Sequence, residues 1–316
     1  MKSCLLIVPR DFYWLERTVS EGLAASGYAV TVANDEYPVG MIGKILGKLQ
    51  IPIIFPLTRS TIARRFLTNR RYDLSLIFKG RGISAPLVRE VRRCVDVVIG
   101  YNFDTFRLNR SPLNWFAGVT RYCTFDYRDA DRWSLPLVEL FCPTATTRSN
   151  DSCYDLSVLM RIHSRRLPYI DKVMSALRPA TFFVYLYESN VFTFLINAFC
   201  HPRLYFKYRH YIHFRPFPYA AYVQVMRSSS FTVDYVPSSQ AGITIRCFEA
   251  VGAKTRIITN NIYMSRSPHF DQSDYIIFAE DGDPEELSAA YRAAHGAQCV
   301  SRPRTLTEFM EELMAT

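Results

Sequence analysis

The chain has 316 residues, of which 49% are hydrophobic and 21% charged, a composition typical of folded globular proteins rather than disordered segments. This length exceeds what one core usually organises, so two domains are expected. A net charge of +9 favours anionic partners such as a phosphorylated substrate, nucleic acid or an acidic membrane surface.

The first half of the chain alternates predicted strands and helices. Residues 4–8, 14–25 and 28–33 indicate a strand, a helix and a strand, which is a βαβ opening. Further strands are predicted from short apolar runs at 73–78, 95–101 and 122–125. Residues 1–145 are therefore expected to form one Rossmann-like α/β domain.

The alternation restarts after residues 143–151, a turn-rich stretch with the composition of a linker. The predicted strands are 154–160, 181–187, 231–236, 256–259 and 275–279, and the predicted helices are 167–177, 243–251 and two near the C-terminus. Residues 146–316 are thus expected to form a second Rossmann-like domain. We expect the two parallel-sheet domains to face one another, with ligands bound in the cleft at the strand ends.

A basic segment without any acidic residue extends over residues 37–72. Within it, Lys44 and Lys48 lie four residues apart among apolar side chains, which predicts a basic amphipathic helix able to contact anionic lipid. An ordinary surface helix with solvated lysines is the alternative. No nucleic-acid-binding module accompanies the charge, so nucleic acid is not expected as a partner.

Several cofactor classes are disfavoured. Residues 79–85 contain a GxGxxA pattern, but they do not follow the first strand and lack the acidic partner of a dinucleotide site, so a tight βα turn is expected. The six histidines lack the i, i+4 spacing of a helical metal site, and the eight cysteines form no CxxC pair. No cofactor or metal is therefore expected.

The location is expected to be cytoplasmic, with free thiols. The N-terminus has no signal-peptide pattern, and no run of about 18 apolar residues predicts a membrane-spanning helix. The basic segment adds the expectation of peripheral binding to the inner face of the cytoplasmic membrane.

The first half contains no histidine, so a general base there must be a carboxylate. The candidates are Asp11, Asp35, Glu36, Asp104 and Asp126. Asp11 is the candidate catalytic residue because it stands just beyond the first predicted strand. An N-cap role for the following helix is the alternative.

Residues 234–260 carry the most informative pattern, a strand, a polar glycine-containing loop, a helix and another strand. Small and hydroxyl residues in such a loop allow backbone N–H groups and a helix N-terminus to meet phosphate. Arg246 could offset diphosphate charge, and Glu249 could accept hydrogen bonds from ribose hydroxyls. The alternative is that Glu249 faces solvent or pairs with Lys254 or Arg256.

This stretch resembles the nucleotide-sugar-binding signature of GT-B glycosyltransferases. It is most similar to the CgeB-like and lipopolysaccharide or capsule-biosynthesis group, whose pattern is Gln-x-Gly-hydrophobic-Thr-x-Arg-x-x-Glu. The matching positions are Gln240, Gly242, Ile243, Thr244, Arg246 and Glu249. Residues 125–130 resemble the Phe-Asp-x-x-Asp-Ala segment of that group. The loop of His163, Ser164, Arg165 and Arg166 corresponds to where such enzymes approach phosphate.

The resemblance implies a hexosyltransferase-type enzyme that moves sugar from a nucleotide diphosphate sugar to a surface-glycan or lipid-linked acceptor. It places the acceptor on the first domain and the donor on the second. Ala241 stands where retaining members often carry the first glutamate of Glu-x7-Glu, so the stereochemical outcome stays open. The alternatives are a nucleotide-sugar epimerase of the same fold and a non-catalytic nucleotide-sugar-binding scaffold.

Overall fold

The computed structural model describes residues 1–9, 15–143, 153–163 and 165–315. The chain divides into two compact units. The first unit comprises Met1–Leu140, Ser239–Gly242 and Leu306–Thr316, and the second comprises Phe141–Ser238 and Ile243–Thr305.

A five-stranded parallel sheet forms the centre of the first unit. Its strands in chain order are β1 (Lys2–Val8), β2 (Tyr28–Asn34), β3 (Tyr72–Phe78), β4 (Val95–Asn102) and β5 (Arg121–Thr124). They lie in the order β2-β1-β3-β4-β5. Successive residues of β1 are buried because a parallel sheet is covered on both faces, which explains the continuous apolar run in the sequence.

Within the described residues, five α-helices accompany these strands. They are α1 (Leu15–Ala25), α2 (Met41–Lys48), α3 (Ile54–Ile62), α4 (Ala85–Cys94) and α5 (Tyr127–Trp133). A single π-helical turn, Ala63–Leu67, extends α3. The residues at 79–85 form the connection from β3 to α4, where Lys79 and Gly80 both adopt positive φ, as a tight βα turn requires.

The second unit contains a six-stranded parallel sheet. Its strands are β6 (Tyr154–Arg161), β7 (Phe182–Tyr187), β8 (Ile212–His213), β9 (Ser229–Val233), β10 (Arg256–Thr259) and β11 (Tyr275–Ile277). Their order is β11-β10-β9-β6-β7-β8. The helices are α6 (Arg166–Leu177), α7 (Val191–Cys200), α8 (Pro202–Tyr208), α9 (Tyr219–Arg227), α10 (Ile245–Gly252) and α11 (Pro284–Ala294).

The last helix, α12 (Leu306–Met314), packs in the first unit, although the sequence assigns residues 306–316 to the second domain. Phe309 is buried and its ring lies 5.2 Å from the ring of Tyr101 on β4. The side chain of Leu306 packs so closely against Gly22 of α1 that a Cβ added at Gly22 would lie 2.6 Å from it. The tail therefore completes the core of the first unit.

Every strand predicted from the sequence is confirmed, with ends that differ by three residues or fewer. The helices α3, α5 and α7 to α9 and the short strand β8 had no prediction. No helix within the described ranges is long and apolar enough to cross a membrane.

Candidate functional site

Asp234 organises the polar groups that follow β9. Its carboxylate is fully buried, and Oδ1 accepts hydrogen bonds from Thr244 Oγ1 at 2.8 Å and Arg246 Nη1 at 3.1 Å. Oδ2 accepts from Thr259 Oγ1 at 3.1 Å. A buried carboxylate needs such partners because desolvation is costly. Asp234 thereby fixes the orientation of Arg246, a role that sequence reasoning missed.

The sequence alone could have indicated Asp234 as a candidate site residue. It stands directly after a buried strand, at the carboxyl edge of a parallel sheet where ligand sites gather. Its partner Thr244 is the residue preceding α10, and its hydroxyl bonds to Asp234 rather than capping the helix.

Glu249 lies inside α10 and is only 8% exposed. Its Oε2 accepts a hydrogen bond from the hydroxyl of Tyr222 on α9 at 2.9 Å. Burial raises the pKa of Glu249 to about 7, although hydrogen bonds from Tyr222 and Tyr219 and the charge of Arg246 act in the opposite direction. Glu249 is therefore a buried carboxyl group that changes charge near neutral pH.

The alternative partners of Glu249 are engaged elsewhere. Lys254 donates from Nζ to the carbonyl oxygen of Ser301 at 2.8 Å. The guanidinium of Arg256 lies 4.2 Å from the ring centre of Phe231. Glu249 is therefore buried rather than exposed to solvent, and Lys254 and Arg256 contact other residues.

The loop after β6 brings further cations near Arg246. Partial burial and the charges of Arg166, Arg161 and Arg246 lower the pKa of His163 to about 4, so this imidazole is neutral at pH 7. Arg166 Nη1 donates to the carbonyl oxygen of Arg161 at 3.1 Å. Because β6 and β9 are neighbours in the sheet, the loops that follow them meet at its carboxyl edge. The result is an electropositive region.

Arg165, the other arginine predicted to meet phosphate, forms an ion pair in this structure. Its Nε lies 3.1 Å from Glu280 Oε2, and the side chain is mostly exposed. Glu280 also accepts from the hydroxyl of Tyr235 at 2.8 Å. Ser164 lies outside the described residues.

Gly242 has a different environment from the one predicted. The backbone N–H groups of Ala241 and Gly242 donate to Asp126 Oδ2 at 2.6 and 3.0 Å. Both segments belong to the first unit, so the N–H of Gly242 is directed to a carboxylate of its own unit rather than to an open phosphate site. A Cβ added at Gly242 would lie 2.4 Å from the ring of Phe125. Gln240 Nε2 donates to the carbonyl oxygen of Gly242 at 3.2 Å, and Ile243 is buried.

The second oxygen of Asp126 is also occupied. Oδ1 accepts from the backbone N–H groups of Arg128 and Asp129 at 3.0 and 3.1 Å, which makes Asp126 the N-cap of α5. Four backbone donors therefore surround this carboxylate. Asp126 serves as an anchor for two segments and is a poor candidate for a general base.

A pocket of about 180 Å³ lies in the first unit, beside the carboxyl ends of β1 to β3. Asp35, Glu36, Lys44, Lys48 and Arg81 contribute to its lining. Asp35 Oδ2 accepts from the backbone N–H of Arg81 at 3.1 Å. The two lysines of α2 thus face a pocket that also contains two carboxyl groups.

Glu36 is the carboxyl group of this pocket whose environment best suits proton transfer. It is 7% exposed, and its Oε2 is buried without a hydrogen-bond partner in the described part of the chain. Burial, followed by the charge of Asp35, raises its pKa to about 7. Asp104, by comparison, forms an ion pair with Lys79 at 2.5 Å. Asp11 lies outside the described residues.

The other face of α2 is apolar and exposed. Its exposed hydrophobic side chains are Met41, Ile42, Ile45 and Leu49. Gly43 and Gly47 lie on the inward face of α2. A Cβ added at Gly43 would collide with the Pro38 carbonyl oxygen, and one added at Gly47 would collide with the Glu36 side chain. The predicted amphipathic helix exists, with its lysines on the pocket side and its apolar face outward.

Within the described ranges, no group of histidine, cysteine, aspartate and glutamate side chains has the arrangement of a metal site.

Solved structures with the same fold provide the comparison for these sites. AviGT4, a glycosyltransferase involved in avilamycin A biosynthesis, has 12% identity and a TM-score of 0.55, covering 99% of this chain and 92% of its own. UDP-GlcNAc 2-epimerase from Methanocaldococcus jannaschii, in complex with UDP-GlcNAc and UDP, has 11% identity and a TM-score of 0.57, covering 99% and 98%. HepE from Anabaena, in complex with UDP and glucose, has 11% identity and a TM-score of 0.57, covering 94% and 90%.

No protein-family model matches the sequence, and no curated protein matches it either. The similarity to solved structures therefore concerns the fold. The two Rossmann-like units and these neighbours show that the chain has the GT-B fold, as the sequence predicted.

Proposed function

We propose that the protein is a glycosyltransferase that takes sugar from a nucleotide diphosphate sugar bound to the second unit. The observation that carries the proposal is the convergence of Arg246, oriented by Asp234, with Arg166 and His163 at one sheet edge. The two arginines, in a partly buried place, attract a diphosphate, and the neutral imidazole of His163 adds a hydrogen-bonding group beside them. Structural neighbours in complex with UDP, including one with UDP-GlcNAc, support this choice of donor.

The chemistry requires a leaving diphosphate and an activated acceptor hydroxyl. Arg166 and Arg246 would offset the charge that develops when the bond from the sugar C1 to the diphosphate oxygen breaks. Arg165 could join them by leaving Glu280, since its ion pair is largely exposed. The acceptor oxygen would form the new bond to C1 while its proton moves to a carboxylate.

The pocket of the first unit supports an acceptor role for that unit. Glu36 has the burial and the raised pKa that suit a base near neutral pH, and Asp11 remains a second candidate. Lys44 and Lys48 would bind a phosphate or other acidic group of the acceptor. A lipid-linked or surface-glycan acceptor, as in lipopolysaccharide and capsule synthesis, combines such an acidic group with hydroxyls.

Product analysis tests the proposal. Purified protein would be incubated with a panel of labelled nucleotide diphosphate sugars, with and without bacterial lipid-linked acceptors. We expect label in the acceptor and free nucleoside diphosphate. An isomerised donor formed without acceptor would indicate an epimerase, and binding without turnover would indicate a scaffold protein.

Donor affinity is expected to depend on the ionisation of Glu249. Ribose hydroxyls donate to its ionised form, so binding favours loss of the proton and affinity rises as pH rises through about 7. The increase should be about tenfold for each unit by which the ligand lowers the pKa. Calorimetry from about pH 6 to pH 8 with an intact nucleotide sugar measures it, because the esterified phosphates do not titrate there.

The variant Glu249→Gln provides the control for this pH dependence. It keeps the shape and the contact with Tyr222 but does not ionise, so its donor affinity should be lower at high pH and nearly flat with pH. A wild-type affinity that is equally flat would contradict a ribose-binding role for Glu249.

Peripheral membrane association through α2 is part of the proposal. Each cation near an anionic surface contributes roughly 1 kcal/mol, and Lys44→Glu/Lys48→Glu removes two cations and adds two carboxylates that the surface repels. The double variant should therefore weaken binding to anionic vesicles by at least about 2 kcal/mol, roughly 30-fold, at low salt. The matched control Lys2→Glu/Arg17→Glu changes the net charge equally on exposed positions of the same unit. Equal losses in both variants would show that net charge, and not α2, attracts the vesicles.

A further inference from the structure

The helix α7 exposes an entirely apolar face. The outward positions follow the i, i+1, i+4, i+5 spacing of one helical stripe. They are Val191, Phe192, Leu195, Ile196, Phe199 and Cys200. Phe192 and Phe199 are 74% and 88% exposed. A surface helix in water normally shows the opposite pattern, with its polar residues outward.

The side of α7 that carries Asn197 and Phe194 faces the protein. Asn197 Nδ2 donates to Glu188 Oε1 at 2.9 Å, and the hydroxyl of Tyr205 donates to the same oxygen at 2.6 Å. Glu188 is fully buried. On the same side, Phe194 packs edge-on against Tyr205, with ring centres 5.3 Å apart.

This network holds the helix in its orientation. Rotating α7 about its axis to bury the apolar stripe would move Asn197 away from Glu188. The buried carboxylate would then have one hydrogen-bond donor fewer, which costs free energy. The apolar face is therefore a stable feature of the fold. Two further exposed rings belong to the segments that follow α7: Phe206 on α8, and Phe214, whose ring centre lies 5.5 Å from that of Phe194.

The segment that contains this face is cationic. No aspartate or glutamate occurs from residue 189 to residue 233, whereas Arg203, Arg209 and Arg215 are exposed there. Lys207 is exposed as well and pairs with Asp171 of α6 at 2.5 Å. The segment thus combines exposed apolar rings with positive charge, the composition of helices that lie in a membrane interface.

Charge and length together favour a membrane over a second copy of the chain. A two-fold contact through the same face would bring identical cations together, whereas an anionic bilayer attracts them. The ten residues of α7 span about 15 Å, half of a bilayer core, so the helix can lie in the interface but cannot cross it.

We propose that α7 inserts its apolar face into the headgroup and acyl-chain boundary of an anionic membrane, with the surrounding arginines at the lipid phosphates. This contact belongs to the second unit, involves none of the residues of α2 and does not depend on the proposed catalytic activity.

A fluorescent probe on α7 tests the insertion directly. Cys200 lies on the apolar face, and Cys153 is an exposed cysteine elsewhere in the unit. The protein with Cys153→Ser would carry a polarity-sensitive dye on Cys200, and the protein with Cys200→Ser would carry it on Cys153. With vesicles of phosphatidylcholine and phosphatidylglycerol at about 7:3, we expect a blue shift only for the dye on Cys200.

Flotation with the same vesicles provides the second measurement. Phe192→Ser/Phe199→Ser should reduce vesicle binding at least about 10-fold without lowering the melting temperature, because both rings are exposed. The control Ile262→Ser/Val300→Ser removes two exposed apolar side chains of the same unit and should bind as the wild type does. Both pairs are made in the Lys44→Glu/Lys48→Glu background, so that α2 does not obscure the result.

Two outcomes would overturn the proposal. One is unchanged vesicle binding by Phe192→Ser/Phe199→Ser together with an unshifted dye on Cys200. The other is a blue shift that appears without lipid at high protein concentration and accompanies a dimer in sedimentation, which would assign the face to a second copy.

Discussion

Replacement of Asp126 with alanine is expected to lower the free energy of unfolding by about 3–5 kcal/mol. The carboxylate accepts from four backbone N–H groups, and the two from Ala241 and Gly242 are buried. Without Asp126, both buried donors lose their acceptor and α5 loses its N-cap. Urea denaturation followed by circular dichroism measures the change.

Asp283→Ala is the matched control for this substitution. Asp283 caps α11 in the same manner, with its side chain accepting from the N–H of Glu285 at 2.9 Å, but it is exposed. Its loss should cost about 1 kcal/mol, as N-caps usually do. If Asp126→Ala costs no more than Asp283→Ala, then the bonds to residues 241 and 242 contribute nothing to stability.

Arg246→Lys is expected to reduce nucleotide-sugar affinity about 10- to 100-fold, which is about 1.5–3 kcal/mol. Lysine keeps the positive charge that the buried Asp234 needs, so the protein should remain folded. It lacks the planar set of donors with which arginine can bind a carboxylate and a diphosphate together. The affinity loss therefore reports on diphosphate contact rather than on unfolding.

Calorimetry with the best-binding nucleotide sugar, alongside the melting temperature, measures both effects. Arg292→Lys, at an exposed position of α11, is the control and should bind the donor as the wild type does. An Arg246→Lys protein with unchanged affinity would remove the main support for the donor site. Arg246→Ala is less informative, since it would leave Asp234 buried without its cation.

The alternation of strands and helices could be predicted from the sequence because its cause is local. Residues 4–8 form a continuous apolar run, and residues 74–78 form a run interrupted only by Ser75, since both faces of a parallel sheet are covered. Each run is therefore visible without knowledge of its neighbours. The same holds for the loop and helix around Arg246 and Glu249. Their residue types indicated where nucleotide-sugar chemistry would be sought.

Contacts between distant segments had no such local signal. Asp126 and Gly242 are separated by 116 positions, and the local sequence around each residue does not indicate that the two form a hydrogen bond. The exposed side of α7 is a second example, because a nearly continuous apolar helix predicts burial on every face. The hydrogen bond from Asn197 to Glu188 and the packing of Phe194 against Tyr205 hold one face inward.

The sequence by itself thus indicated two parallel-sheet domains, their strands except β8, and the segment that carries the donor-site candidates, since burial periodicity and turn chemistry act over a few residues. The tertiary structure alone decided that α12 joins the first unit, that Asp234 orients Arg246 and that Glu36 lies in a pocket with Lys44 and Lys48. These relations arise from side chains that meet only after the strands have paired, and their energies depend on burial, which no local pattern encodes.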